Sequence, residues 1–158
     1  MKYNHAPKNY ICSLCLVVKG IENKHTETKK QEVFNKDKFI TALLSSHGWP
    51  KNPGHVIIIP NKHYENIYSI PDIYLDRIHR LAKKVAIAFK KVYKCDGVST
   101  RQHNEPAGNQ EAFHFHFHVF PRYKNDNLYL NHLKKKFISP KERAGYAKKL
   151  KRYFKSKK

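Results

Sequence analysis

The apolar residues of this chain fall into short runs of two periods, which separate strands from helices. Between residues 32 and 44, β-branched and aromatic residues form two runs broken at Asn35-Lys36-Asp37, a pattern that predicts a hairpin. A loop carrying Gly48, Pro50 and Pro53 leads into Gly54-His55-Val56-Ile57-Ile58-Ile59-Pro60. Four β-branched residues stopped by a proline predict a central strand buried on both faces. A 3.6-residue period then opens at Ser69-Ile70-Pro71-Asp72, with Ser69 as the expected cap. Tyr74, Ile78, Leu81, Ala82, Val85, Phe89 and Val92 share one stripe, and the helix is expected to stop near Asp96-Gly97. Residues 98–104 and 113–122 read as strands around a loop at 105–112, close enough to pair as an antiparallel hairpin. Ser139-Pro140-Lys141-Glu142 has capping-box spacing and starts a helix along Tyr146, Leu150, Tyr153 and Phe154. Earlier in the chain, 12–20 predicts a short apolar turn or helix stopped by Gly20, and 21–31 a polar loop. Strands and helices in this order give an α+β fold, helices packed on an antiparallel sheet.

The length, 158 residues, suits one domain with a sizeable core. Ten Tyr and nine Phe argue against disorder. No apolar run approaches the roughly 20 residues of a membrane-spanning helix, and the first ten residues lack the apolar core of a signal peptide. Three cysteines are too few for a disulfide framework. A soluble cytoplasmic protein with no membrane partner is expected. The net charge is +20, and residues 134–158 supply +11 of it through twelve Lys and Arg against Glu142 alone. This divides the chain into residues 1–133, carrying the candidate chemistry, and a basic helix over 134–158 appended to the same domain. Such a segment has the charge of a nucleic-acid footprint. The competing reading is a lysine-rich solvated helix face whose apolar stripe packs on the core.

The sharpest feature is Phe113-His114-Phe115-His116-Phe117-His118-Val119-Phe120-Pro121-Arg122. In a strand, His114, His116 and His118 share one face, and Phe113, Phe115, Phe117 and Val119 the other, toward the core. Two histidines at i and i+2 can bind one metal ion. The third lies about 13 Å from the first by strand rise and cannot join them. No carboxylate stands between Glu111 and Asp126 to complete a metal site along the strand. The row therefore divides into residues with different roles. Cys12-x-x-Cys15 has the spacing of half a zinc site. A redox pair and two unrelated core cysteines are its alternatives.

This row resembles the signature of the histidine triad hydrolase family, His-φ-His-φ-His-φ-φ with φ apolar, at all seven positions of 114–120. Pro53-Gly54-His55 and the strand after it resemble the family's earlier strand, whose histidine lies near the substrate phosphate. Asn104 and Ala107-Gly108-Asn109-Gln110 resemble its phosphate loop, and Cys12-x-x-Cys15 the start of its zinc-bearing bacterial-type members. The similarity covers about residues 10 to 123. It implies a five-stranded antiparallel sheet with flanking helices, pairing into a homodimer. It also implies hydrolysis at the α-phosphorus of a purine nucleotide, either a nucleoside phosphoramidate or a dinucleoside polyphosphate. His116 would be the nucleophile, with His118 and His55 beside the phosphoryl oxygens and the leaving group. Asn104, Gly108 and Gln110 would hold the phosphate. Cys12, Cys15, His63 and His114 would hold a structural zinc ion.

The chain departs from the family in two places. Thr41-Ala42-Leu43-Leu44-Ser45-Ser46 lacks the aspartate that binds ribose hydroxyls in many members, and Glu111 stands where a hydroxyl often assists the leaving group. Nucleic-acid binding, or the processing of adenylylated nucleic-acid ends, is the alternative function, carried by the basic C-terminal region.

Overall fold

The computed structural model describes residues 3–157. The predicted hairpin forms between β1 (Val33–Lys36) and β2 (Ile40–Leu44). Its turn is held by Asp37, whose carboxylate accepts the N–H groups of Phe39 at 2.7 Å and Ile40 at 2.8 Å. The later strands are β3 (His47–Gly48), β4 (Val56–Pro60), β5 (Gly97–Gln102), β6 (Phe117–Arg122) and β7 (Lys136–Phe137). Five of them build one antiparallel sheet in the order β1-β2-β4-β6-β5. The strands β3 and β7 form a separate two-stranded ribbon.

The central strand is buried at every residue, as its β-branched composition requires. Val56 and Ile58 join Ala42, Leu44, Phe117 and Val119 in the main core beneath α2 (Asp72–Ala88) and α3 (Pro140–Lys155). Leu43, Ile57 and Ile59 face the other way and are covered by Leu14 and Val17 of α1 (Ser13–Lys19). Each such side chain contributes about 1.5–3 kcal/mol by leaving water. The histidine part of that second face lies beyond α1 and packs on different residues, Trp49 and Phe120.

Several boundaries differ from the sequence reading. The long helix is capped by Pro71, with no side-chain cap from Ser69, and ends in a π-helical turn over Phe89–Tyr93. Lys94 then takes a left-handed conformation, φ 57°, which ends it. The loop at 45–53 contains β3. The strand expected from Phe113 begins only at Phe117, because the backbone before it bonds elsewhere. The Phe115 N–H donates to the Tyr64 carbonyl at 2.6 Å, and that of His114 to Ala112 at 2.8 Å. Phe115, Phe117 and Val119 enter the main core as expected, whereas Phe113 stays half-buried against the edge of Tyr10.

The C-terminal helix is part of this core. Ser139 and Glu142 form the predicted capping box, and Ala147 and Leu150 are buried. Arg143 and Glu32 form a fully buried ion pair, Nε to Oε1 at 3.1 Å, that ties α3 to the turn before β1. Arg143 also donates to the Glu27 carbonyl at 2.8 Å. Removing one partner of a buried pair leaves the other charge uncompensated. Arg143→Leu is therefore expected to lower unfolding free energy by about 3–5 kcal/mol in urea denaturation. A loss below about 1 kcal/mol would show that the pair adds nothing net. Among the described residues, no helix is long and apolar enough to cross a membrane.

Candidate active site and metal centre

The sheet brings four histidines together. The register sets His118 opposite Ile57 on β4, so His118 and His55 meet on one face, their rings 5.0 Å apart. His116 comes from the turn just before β6, with its ring 4.7 Å from that of His118. His103, just past β5, places its ring 5.6 Å from His118. Phe120 follows the same parity along β6 and stacks on His55 at 4.0 Å, backed by Trp49 and Leu128. The floor beneath the imidazoles is thus largely aromatic and buried.

Burial holds the rings of His55, His116 and His118 neutral. His55 is pushed down to about 3, chiefly by desolvation. His118 is driven well below its ordinary value and His116 is lowered, in both cases first by desolvation. A neutral imidazole has one N–H and one lone pair, and the backbone decides which is which. His116 Nδ1 lies 2.7 Å from the His114 carbonyl oxygen, so it carries the proton and leaves Nε2 as a free lone pair. His55 Nδ1 lies 3.2 Å from the His47 carbonyl and donates to it, so His55 Nε2 accepts from His118 Nδ1 at 2.9 Å. The relay runs from His118 through His55 to the backbone, and its open end is His118 Nε2. A proton arriving there places charge that the relay can spread.

The residues expected to hold phosphate bond to neighbouring loop atoms within the chain. Asn104 Oδ1 accepts the Ile67 N–H at 2.8 Å, and its amide donates to Gln102. Gln110 is buried as a clamp. It accepts the Glu105 N–H at 2.7 Å and donates to the carbonyls of Glu65 and Ala112. The Gly108 N–H donates to Glu105. His103 is the residue of this loop that reaches the histidine face, and its Nδ1 donates to the Gly108 carbonyl at 2.6 Å.

A second cluster stands on the outer side of His114. The ligand atoms of Cys12, Cys15, His63 and His114 all lie within 4.8 Å of one another. His114 Nδ1 is 3.2 Å from Cys12 Sγ and 3.4 Å from Cys15 Sγ, while His63 Nδ1 is 3.3 Å from Cys15 Sγ. Tetrahedral zinc with its usual bond lengths separates S and N ligands by about 3.5 Å, so the four residues fit that ion. His114 Nε2 donates to the Pro60 carbonyl at 3.0 Å, which turns the Nδ1 lone pair toward the sulfurs, as a metal-binding histidine requires. Burial and the neighbouring Cys12 push the Cys15 thiol up to about 12, a cost that a bound dication would reverse. Cys95 is buried in the main core, away from this cluster.

Comparison with known proteins agrees with this geometry. The HIT domain pattern matches residues 25–125. The chain is 32% identical over 116 residues to the uncharacterized HIT-like protein MJ0866 of Methanocaldococcus jannaschii, covering 73% of this chain and 82% of that one. It is 36% identical over 108 residues to the adenosine 5'-monophosphoramidase HNT1 of Saccharomyces cerevisiae, covering 68% and 62%. A zinc-bound histidine triad family protein from Mycobacterium smegmatis shares the fold with a TM-score of 0.73 at 20% identity, over 93% of this chain and 97% of that one.

Proposed function

This chain belongs to the histidine triad (HIT) family, and on that premise we propose that it is a nucleotidyl hydrolase using His116 as its nucleophile. The observation that carries the reading is the locked tautomer of His116. Its proton is held on Nδ1 by the His114 carbonyl, and Nε2 presents a lone pair beside His118 and His55. Neutral imidazole is a competent nucleophile at pH 7, and covalent catalysis divides one difficult displacement into two easier ones. Nε2 attacks the α-phosphorus of a nucleoside 5'-phosphoryl compound, the P–N bond forms, and the bond to the leaving group breaks. Water then cleaves the nucleotidyl-histidine and releases the nucleoside monophosphate. In the first step the leaving group departs with a proton taken from solvent; in the second, His118 Nε2, a lone pair, accepts a proton from the attacking water, and His55 spreads the resulting charge.

The substrate in this reading is a purine nucleoside phosphoramidate or a dinucleoside polyphosphate. The reading carries a homodimer with it, tested by light scattering. The four-residue Cys and His cluster would hold a structural zinc ion, closed to substrate because all four ligands come from protein. The similarity to a phosphoramidase supports the choice of reaction, since that relative cleaves a nucleoside phosphoramidate.

The test is to trap the intermediate. Protein mixed with adenosine 5'-phosphoramidate and quenched in alkaline denaturant is expected to carry one adenylyl group, mapped by peptide mass to His116. Turnover of the substrate with no adduct, or an adduct at another residue, would remove this mechanism.

A further inference from the structure

The segment between β6 and α3 crosses the edge of the histidine face. Its β7 pairs with β3, and the Ile138 N–H donates to the Ser46 carbonyl at 2.8 Å. Lys135, immediately before β7, reaches the carboxylate of Glu111 in the turn that leads to His114, and both carboxylate oxygens receive its ammonium. Phe137, two residues further on, sets its ring 5.9 Å from that of His47, whose carbonyl holds His55 Nδ1, so the segment runs beside the site. Lys135 lies outside residues 25–125, the part that matches the family pattern.

A second cation stands across the row. Arg101 is the register partner of His118, and its guanidinium lies over Phe120 at 4.5 Å and Trp49 at 5.2 Å. Its Nε is buried and has no hydrogen-bond acceptor among the described residues. Of the carboxylates nearby, Asp126 is held by both Arg122 and Asn52. Glu111 alone faces Lys135, and its side chain is 74% exposed. An exposed pair of this kind is weak, so exchanging its carboxylate for another anion costs little. A phosphate oxygen carrying more charge makes the stronger ammonium contact.

We propose that Lys135 is a specificity-determining residue that receives a phosphate-bearing leaving group, with Glu111 as the positioning residue that parks its ammonium until substrate arrives. The proposal rests on the reading that His116 attacks the α-phosphorus. It makes this chain favour nucleotides joined to an anionic leaving group over those joined to an uncharged amine. The selectivity comes from a segment outside the matched domain.

The test compares two substrates in each variant. Diadenosine triphosphate has an anionic leaving group, and adenosine 5'-phosphoramidate loses ammonia. The readout is the ratio of their kcat/KM values. Lys135→Gln is expected to lower that ratio about tenfold or more, Lys135→Arg to restore most of it, and added salt to reduce it in the wild type. Glu111→Gln, which frees the ammonium, is expected to raise it. A ratio unchanged in Lys135→Gln would overturn the proposal and leave the Glu111 pair as a latch for the segment. An adduct absent from the wild type with either substrate would remove the underlying reading, and that outcome is separate from a change in ratio.

Discussion

Replacement of His116 by alanine is expected to reduce kcat on an adenylyl substrate by about 10⁴-fold or more, equivalent to about 5.5 kcal/mol in the transition state. The size follows from its position. His116 Nε2 is a free lone pair fixed by the Nδ1 bond to the His114 carbonyl, and neighbouring His118 has its Nδ1 committed to His55. No second nitrogen is turned toward the same place by the same backbone constraint. The substitution also removes a buried hydrogen bond and leaves the His114 carbonyl unpaired, which costs stability by about 1–3 kcal/mol. His116→Asn, which retains a polar side chain of smaller reach, serves as the folding control. Both variants should bind adenosine monophosphate with an affinity near that of the wild type. A variant that folds, binds nucleotide and still turns over within tenfold of the wild type would exclude His116 as the nucleophile.

The fold was legible wherever a hydrophobic pattern was long enough to carry a period. Val56 to Pro60 announced a doubly buried strand, and the stripe from Tyr74 to Val92 announced α2. Ser139 with Glu142 marked the start of α3 to the residue. Two-residue strands have no period, so the β3–β7 ribbon left no trace in the sequence. The start of β6 was hidden for a different reason. The alternation from Phe113 onward is a strand pattern, yet the N–H of Phe115 is drawn to Tyr64 and the Pro60 carbonyl to the His114 ring, so the ladder between β4 and β6 stops at Phe117.

The candidate site was legible where its residues stand close together in the sequence, and obscure where it depends on register. His116 and His118 could be read directly. Arg101 enters only because β5 pairs with β6 in a register that sets it opposite His118. Lys135 enters only because β7 is anchored beside β3. The loop at 103–104 shows how fine the distinction is. His103 keeps the parity of Arg101 and reaches the histidine face, while Asn104, one residue later, turns to the N–H of Ile67. A one-residue step changes the face of a strand, and no local pattern records that step at a strand end.

One zinc ion per chain is expected in protein purified without added metal, and Cys12→Ser is expected to lose it. The cluster ties three distant parts of the chain together: the N-terminal Cys12 and Cys15, His63 after β4, and His114 before β6. A structural zinc site supplies folding free energy directly. Its loss should cost at least about 3 kcal/mol, seen as a fall in Tm of roughly 6–12 °C for a domain of this size. Cys95→Ala, at the buried cysteine, should leave the metal content intact because Cys95 stands in the main core. Acidification should release the ion, because protons compete for the sulfurs and imidazoles that bind it. The effect should extend to catalysis although Cys12 touches no reacting atom. His114 is both a ligand candidate and the residue whose carbonyl fixes the tautomer of His116. Freed from the metal, His114 loses one of its anchors, and kcat should fall with the zinc content across a chelator titration while the affinity for nucleotide changes less. A Cys12→Ser protein that retains full zinc, or that loses zinc without a change in Tm, would dismiss the site as a structural metal centre.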